Sequence, residues 1–269
     1  LAFRLTGDTR YASEVRDILQ NVMTKVLTIS TSDLQCGLNF GWGTPEFVAA
    51  ADLIEDYWKG QTCTGPLATA YGDNRIGSGN CKVLFQNWLV KNPYYVVSYW
   101  AEKSLNNWGT SATTTISYIA DYLWDRPTLQ LVPRNPSQVN GGKNSIFTPA
   151  QAYARANQLA ITRINGYRTD YHGSTSCDFL SGPQQSSQWA PVKSQITAAG
   201  IVPDDARRSE YCNVPRYNGS YQNYPQLHLG NTIQQCELML RRGDPSCYNN
   251  IDNTAIANYS YVGPDGSRR

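Results

Sequence analysis

The stretch Asn106-Asn107-Trp108-Gly109-Thr110-Ser111 precedes a run with helical spacing, and together they determine how the rest of the chain is interpreted. In that run, Ile116, Ile119, Ala120 and Leu123 form an apolar face. Asn, Thr and Ser are common N-cap residues, so the stretch fits the start of a helix. Two carboxamides and an indole also suit a sugar, because amides can hydrogen-bond a carboxylate and a Trp face can stack on a pyranose ring. Both interpretations stay open at this point.

Helical periodicity recurs along the chain and predicts an all-α protein. Asp8 and Thr9 can cap a first long helix. Thr44-Pro45-Glu46 and Thr148-Pro149 each predict a helix start, since Pro is favoured at the first helical position. Gly166 would end the helix that starts at Thr148. The other predicted helices are Lys82 to Val90, which Asn92-Pro93 interrupts, and Tyr94 to Lys103.

Two of these helices have a predicted apolar face that we expect to pack in the core. The faces consist of Val15, Ile18, Leu19, Val22 and Val26 in the first helix, and of Leu229, Ile233, Cys236 and Leu240 in a last helix that Gly243 ends.

Long segments rich in Gly, Ser, Asn and Pro separate the predicted helices. They cover residues 60–80, 130–147 and 170–224. Strand signals are scarce, since no run of alternating residues is flanked by Asn-Gly or Asp-Gly turns. Long loops in a compact domain usually carry function. We therefore predict a single domain, 1–269, of antiparallel helical hairpins whose loops form a cleft at one end.

The composition excludes several classes of function. A formal charge of +2 predicts no strong nucleic-acid binding, and no apolar run reaches membrane-spanning length. The 18 Tyr and 7 Trp against 6 Phe suit carbohydrate contacts as well as wet cores. Both ends of the sequence look cut, which predicts a fragment or processed form of a longer protein.

Seven cysteines without a CxxC pair, together with only two His, argue against zinc and for disulfides in an oxidising compartment. Cys63 with Cys81 would close one loop, and Cys236 with Cys247 would tie a helix to the turn after it, although spacing leaves the connectivity open. The odd count leaves at least one thiol. Sequons at Asn218 and Asn258 agree with a secreted, extracellular glycoprotein.

Several short patches resemble alginate-lyase-like polysaccharide lyases, in the order found in that family. They are Thr6-Gly7-Asp8-Thr9-Arg10-Tyr11-Ala12, Asn107-Trp108, Asp125-Arg126, Tyr171-His172-Gly173, Glu210-x-Cys212, Cys236-Glu237 and Arg242-Gly243-Asp244. The resemblance implies an (α/α) toroid, complete or incomplete, that cleaves uronic-acid polysaccharides. The family often has an Arg and a His soon after Glu-x-Cys. In this sequence a longer loop follows Cys212, and the next histidine, His228, comes only after that loop.

The resemblance implies β-elimination, in which the charge that builds on the uronate carboxyl must be stabilised. Asn107 is the best candidate to neutralise it, with Asn106 second, because Thr110 and Ser111 can supply the helix cap by themselves. His172 is a candidate donor. Tyr224 and Tyr221 are candidates for the base or acid, since nearby cations such as Arg216 lower a Tyr pKa.

A second group of residues is predicted to bind the sugar. Trp42, in the Gly41-Trp42-Gly43 turn, can stack on a ring, and Asn39 lies in the same predicted loop. The remaining candidates are Trp108, Tyr171, Arg208, Glu210 and His228. We expect an anionic polysaccharide substrate, a monomer, and no metal or cofactor.

Two other functions fit parts of the sequence. A glycoside hydrolase on a helical toroid needs two opposed carboxyl groups, for which the loops offer Asp170, Asp178, Asp204, Asp205 and Glu210. A non-catalytic carbohydrate-binding protein would keep the aromatic cleft and lack the base. The uronan lyase is the leading hypothesis.

Overall fold

The computed structural model describes residues 1–31, 33–104, 107–136, 144–164 and 223–250. The chain forms two compact units. The first unit comprises Leu1–Trp100 and Ala112–Ala156, and the second comprises Ala101–Ser111 and Asn157–Arg269.

The described chain is mainly helical, as predicted, with one small sheet. Its elements, in order, are α1 (Ala2–Thr6), α2 (Thr9–Lys25), α3 (Leu34–Leu53), α4 (Glu55–Trp58), β1 (Thr62–Pro66), β2 (Ile76–Asn80), α5 (Cys81–Leu89), a π-helical turn (Val90–Tyr94), α6 (Tyr95–Lys103), α7 (Asn107–Tyr122), α8 (Pro149–Ile164), α9 (Asn223–Arg241) and α10 (Ser246–Asn250).

Helix α2 begins where the sequence predicts. Gly7, at φ 71°, ends α1 with its N–H on the Phe3 carbonyl, and the Asp8 side chain accepts from the Arg10 N–H. The predicted core face is only partly right: Leu19 is buried, but Ile18 is exposed. The buried side chains are Ala12, Leu19 and Met23.

A hairpin explains why the buried face of α2 is rotated. Strands β1 and β2 pair antiparallel, with Cys63 opposite Gly79, and Gln20 accepts from the Thr64 N–H at 2.8 Å. A side chain at Gly65 would meet Leu84 Cβ at 3.0 Å and Met23 Sδ at 3.4 Å. The hairpin thus packs on the Met23 side of α2. The prediction of an irregular loop at 60–80 was wrong, because the inward positions of β1 are Cys63 and Gly65 and do not register as an apolar alternation.

Helix α3 overturns the prediction of a helix start at Thr44-Pro45. The helix begins eleven residues before Pro45, where Asp33 caps the Gln35 N–H, and Pro45 lies inside it. Proline has no N–H for the carbonyl four residues earlier, which is that of Gly41. The Thr115 hydroxyl donates to this carbonyl at 2.7 Å. Both residues are buried, so a bond from α7 replaces the one that α3 loses.

Pro93 also lies inside helical structure. The predicted interruption at Asn92-Pro93 is a π-helical turn between α5 and α6, so the chain stays helical through the proline. The Asn92 and Trp88 side chains both donate to the Val26 carbonyl, at 3.1 and 3.0 Å. These bonds satisfy the carbonyl at the C-terminal end of α2 and join α2 to α5 and the π-helical turn.

Helix α7 is buried almost all round. Its predicted face of Ile116, Ile119, Ala120 and Leu123 is confirmed as core, and its other faces are buried too. Between positions 107 and 123, only Trp108, Tyr118 and Asp121 keep partial exposure. Gly, Ala, Ser and Thr dominate the helix, and a Ser or Thr hydroxyl can bond a carbonyl of its own helix when no water is near.

The last two long helices show one prediction confirmed and one overturned. Helix α8 begins at Pro149, as Thr148-Pro149 predicts, whereas Gly166 lies outside the described residues. In α9 the predicted face was wrong: Leu229, Ile233 and Leu240 are exposed, and only Cys236 of that face is buried. The buried side chains are His228, Asn231, Thr232, Gln235, Cys236 and Met239.

Both proposed disulfides form. Cys63 pairs with Cys81 and Cys236 with Cys247, while Cys36 is a free thiol. Cys177, Cys212 and both sequons lie outside the described residues. Disulfides indicate an oxidising compartment. No described helix has the length and hydropathy needed to cross a membrane.

A double-mutant cycle tests the bond that compensates for Pro45. Thr115→Val should lower the free energy of unfolding by about 1–3 kcal/mol, because it leaves the buried Gly41 carbonyl unsatisfied. In a Pro45→Ala background the restored backbone N–H can reach that carbonyl, so the same change should cost less than about 1 kcal/mol. Urea denaturation measures both. Equal costs in the two backgrounds would contradict this account of α3.

Candidate functional site

A cluster of buried polar side chains in the second unit is the candidate site. It comprises Asn107 and Thr110 in the first turn of α7, Asn157 and Arg163 in α8, and His228, Asn231, Thr232 and Gln235 in α9. Buried polar groups in a core usually have a hydrogen-bond partner. The bonds of each member therefore show which groups have a structural partner.

Asn107 departs from that rule. Its side chain is 0% exposed, and neither Oδ1 nor Nδ2 has a hydrogen-bond partner in the described structure. Burying a carboxamide without a partner costs about 1–3 kcal/mol. Asn107 is the first residue of α7, where the helix dipole places a positive partial charge. This position and the two donor hydrogens of the amide together suit an anionic oxygen.

His228 and Thr110 lie together next to this turn. Thr110 Oγ1 lies 3.0 Å from Nε2 and 3.1 Å from Nδ1 of His228, and both residues are buried. Thr110 follows Asn107 by three positions, so both lie on one side of α7. The structure thus brings two of the sequence-predicted site residues, Asn107 and His228, to the same region of the second unit. The imidazole can donate or accept there, according to its tautomer.

Thr110 and Ser111 do not cap α7, contrary to the sequence prediction. The helix already begins at Asn107, so both residues lie inside it. The Ser111 hydroxyl donates to the Trp108 carbonyl at 3.0 Å. The hydroxyl of Thr110 instead contacts His228, a partner that the sequence prediction missed.

One side chain of the α9 polar face bonds α8, and another bonds α9 itself. Gln235 Nε2 donates to Asn157 Oδ1 of α8 at 3.2 Å, whereas the Thr232 hydroxyl donates to the His228 carbonyl within α9 at 2.9 Å. One turn further on, Cys236, Met239 and Cys247 form a small apolar cluster with Ile161 and Tyr248. The α9 face therefore changes from polar near His228 to apolar near the disulfide.

Gly109 adapts the first turn of α7 to the end of α6. A Cβ added at Gly109 would overlap the Ser104 carbonyl and would come within 2.9 Å of Arg163 Nη2. The backbone of Ser104 cannot move away as a flexible side chain would. Glycine is thus required at this point for steric reasons.

The predicted sugar-binding residues of the first unit lie in a helix instead of a loop. Asn39 and Trp42 both belong to α3, and Asn39 Oδ1 accepts from Gln35 Nε2 at 3.1 Å on the exposed side. Trp42 is half-buried, and its Nε1 has no acceptor in the described ranges. The Gly41-Trp42-Gly43 turn was predicted wrongly, because the Pro45 signal was taken for a helix start.

The remaining candidates cannot be placed side by side with Asn107. Trp108 is half-buried in the first turn of α7, and the backbone of Tyr224 lies in the first turn of α9, but its side chain lies outside the described structure. The candidates Asn106, Tyr171, His172, Arg208, Glu210, Arg216 and Tyr221 also lie outside the described residues.

Sequence reasoning also missed Thr232, Gln235 and Asn157. Their signal was present, since His228, Thr232, Gln235 and Met239 recur at helical spacing in the sequence. A search restricted to apolar residues selects the adjacent face instead.

Comparison with known proteins adds no relative: no protein-family model, curated protein or solved structure matches this chain. The resemblance to alginate-lyase-like enzymes therefore stays a prediction from the quoted patches.

The missing partners of Asn107 lead to a stability prediction. Asn107→Leu replaces the unpartnered amide with an apolar group of similar size, so it should raise the free energy of unfolding by about 1–3 kcal/mol. Asn157→Leu is the matched control, because Asn157 accepts from Gln235; it should lower the free energy of unfolding by a similar amount. Urea denaturation decides. A destabilised Asn107→Leu variant would show that the amide is satisfied in solution.

A second prediction concerns Gly109. Gly109→Ala should destabilise the protein by at least about 2 kcal/mol, because the methyl group meets the Ser104 backbone. Gly43→Ala in α3 is the control: its Cβ would meet nothing within 4 Å, so the change should be neutral or stabilise by up to about 1 kcal/mol. Thermal unfolding of the two variants tests this. Equal melting temperatures would contradict the close approach of Ser104 to Gly109.

Proposed function

We propose that this protein is a secreted uronan lyase of the alginate or glucuronan type, acting by metal-independent β-elimination on an (α/α) toroid. The observation that carries the proposal is the buried Asn107 carboxamide, which has no hydrogen-bond partner in the described structure and lies one turn from the Thr110–His228 contact. A folded protein tolerates such a group where function requires it.

The chemistry assigns Asn107 a specific task. A base removes the C5 proton of the uronate, the C–H electron pair forms the C4=C5 double bond, and the C4–O bond breaks. The leaving oxygen takes a proton from an acid. Negative charge builds on the carboxyl group as C5 is deprotonated, and a preorganised donor at that group lowers the barrier most. The Asn107 Nδ2–H groups supply such a donor where water is excluded.

His228 supports the same function as a neighbouring polar group. Its imidazole is 3% exposed and is held by Thr110, so it can bind the substrate without rotating freely. In this proposal, His172 is a further donor, Arg216 a cation near the carboxylate, and Tyr221 and Tyr224 the base and acid. Trp108 and the other predicted residues of the second unit bind the polymer.

Secretion and independence of metal are part of the proposal. The Cys63–Cys81 and Cys236–Cys247 disulfides support export to an oxidising compartment. Carboxamide, imidazole and guanidinium groups can neutralise a carboxylate by hydrogen bonding alone. Activity should accordingly persist in the presence of a chelator.

A direct assay tests the proposal. We expect the protein to release unsaturated products from glucuronan or alginate. Their ultraviolet absorbance measures the reaction, and we expect the same rate with and without EDTA. Asn107→Ala should lower kcat by about 10²–10³-fold, the loss typical when one donor to a developing oxyanion is removed. Asn21→Ala, an exposed position in α2, is the control and should keep wild-type turnover.

Other outcomes would overturn the proposal. New reducing ends without the absorbance would indicate a glycoside hydrolase. Binding of the polymer without either product would indicate a non-catalytic carbohydrate-binding protein. Full turnover by Asn107→Ala would remove Asn107 from the mechanism.

A further inference from the structure

Arg163 is a buried cation at the carboxyl end of a helix. Its side chain is 8% exposed, and Nη2 donates to the Ala101 carbonyl at 2.5 Å and to the Ser104 carbonyl at 3.1 Å. These carbonyls lie at the end of α6, where the helix dipole is negative and a cation is stabilising. One guanidinium nitrogen thus bonds a carbonyl inside the last turn of α6 (Ala101) and the carbonyl just after the helix (Ser104).

The same guanidinium lies near the start of α7. A Cβ added at Gly109 would lie 2.9 Å from Arg163 Nη2 and would overlap the Ser104 carbonyl. Arg163 therefore bonds the same carbonyl that excludes a side chain at Gly109. Asn107 precedes Gly109 by two residues in the same helical turn, so the bond from Arg163 to Ser104 lies beside the turn that carries the Asn107 carboxamide.

We infer that Arg163 is a positioning residue for Asn107, acting through the Ser104 carbonyl that faces Gly109. The effect of Arg163 on turnover rests on the proposed function. Its effect on the backbone of the turn that carries Asn107 does not. Arg163→Lys keeps the positive charge but carries its ammonium on a flexible stem, whereas the planar guanidinium fixes the directions of the two Nη2–H bonds to Ala101 and Ser104. A misplaced Asn107 binds the ground state much as before but stabilises the transition state less.

The first experiment needs no substrate. Hydrogen exchange compares the wild type with Arg163→Lys, and with the exposed Arg241→Lys as control. In Arg163→Lys, the Ser111 amide, which an α-helix pairs with the Asn107 carbonyl, should exchange at least about tenfold faster, while the Ile119 amide stays unchanged. Arg241→Lys should change neither amide. No change at Ser111, or an equal rise along α7, would overturn the inference.

The second experiment measures turnover on the uronan that the wild type cleaves. Arg163→Lys should lower kcat by about ten- to 10²-fold with KM within about threefold, which a general loss of folded protein would not produce once active-enzyme concentration is measured. Unchanged kcat would overturn the positioning role. If the wild type cleaves no uronan, the proposed function fails, and the exchange result still decides whether Arg163 fixes the turn that carries Asn107.

Discussion

The burial of α7 on nearly every side is the constraint on which the rest of this structure depends. A helix without a wet face cannot leave its polar side chains to water, so each hydroxyl must find a protein acceptor or donor. Thr115 uses its hydroxyl to complete the hydrogen bonding of α3 at Pro45, and Ser111 bonds the carbonyl of Trp108. Thr110 contacts His228. The polar groups of α7 thus bond its neighbours as well as the helix itself.

Asn107 is notable against this background because its carboxamide has no partner in the described structure. The first turn of α7 is closely packed. The absence of a side chain at Gly109 leaves room for the Ser104 carbonyl, and Arg163 of α8 donates a hydrogen bond to that carbonyl. Leaving the amide unsatisfied costs about 1–3 kcal/mol of folding stability. In the proposed lyase, a hydrogen bond to the uronate carboxyl offsets that cost, since no protein bond to the amide must break first.

Much of the secondary structure could be predicted, but its orientation could not. The Asp8 cap, the Thr148-Pro149 start and the apolar face of α7 are local signals, and all three are confirmed. The prediction at Thr44-Pro45 was wrong because a proline inside a helix and one at its start look alike in sequence. The difference is decided by Thr115, far along the chain, which supplies the missing bond. In α9, Leu229, Ile233 and Leu240 are exposed, and the buried stripe is polar from His228 to Gln235.

Local signals in the sequence were enough to predict a mainly helical chain and several helix starts, because capping and periodicity act over a few residues. Cysteine spacing suggested Cys63–Cys81 and Cys236–Cys247 but left the connectivity open, and the fold settled both pairs. The fold also brings His228 to Thr110, excludes a side chain at Gly109, and places Arg163 on the carbonyls at the end of α6. The Thr110–His228 contact alone spans 118 positions. Such partners are chosen by which faces are buried together, and no local pattern records that choice.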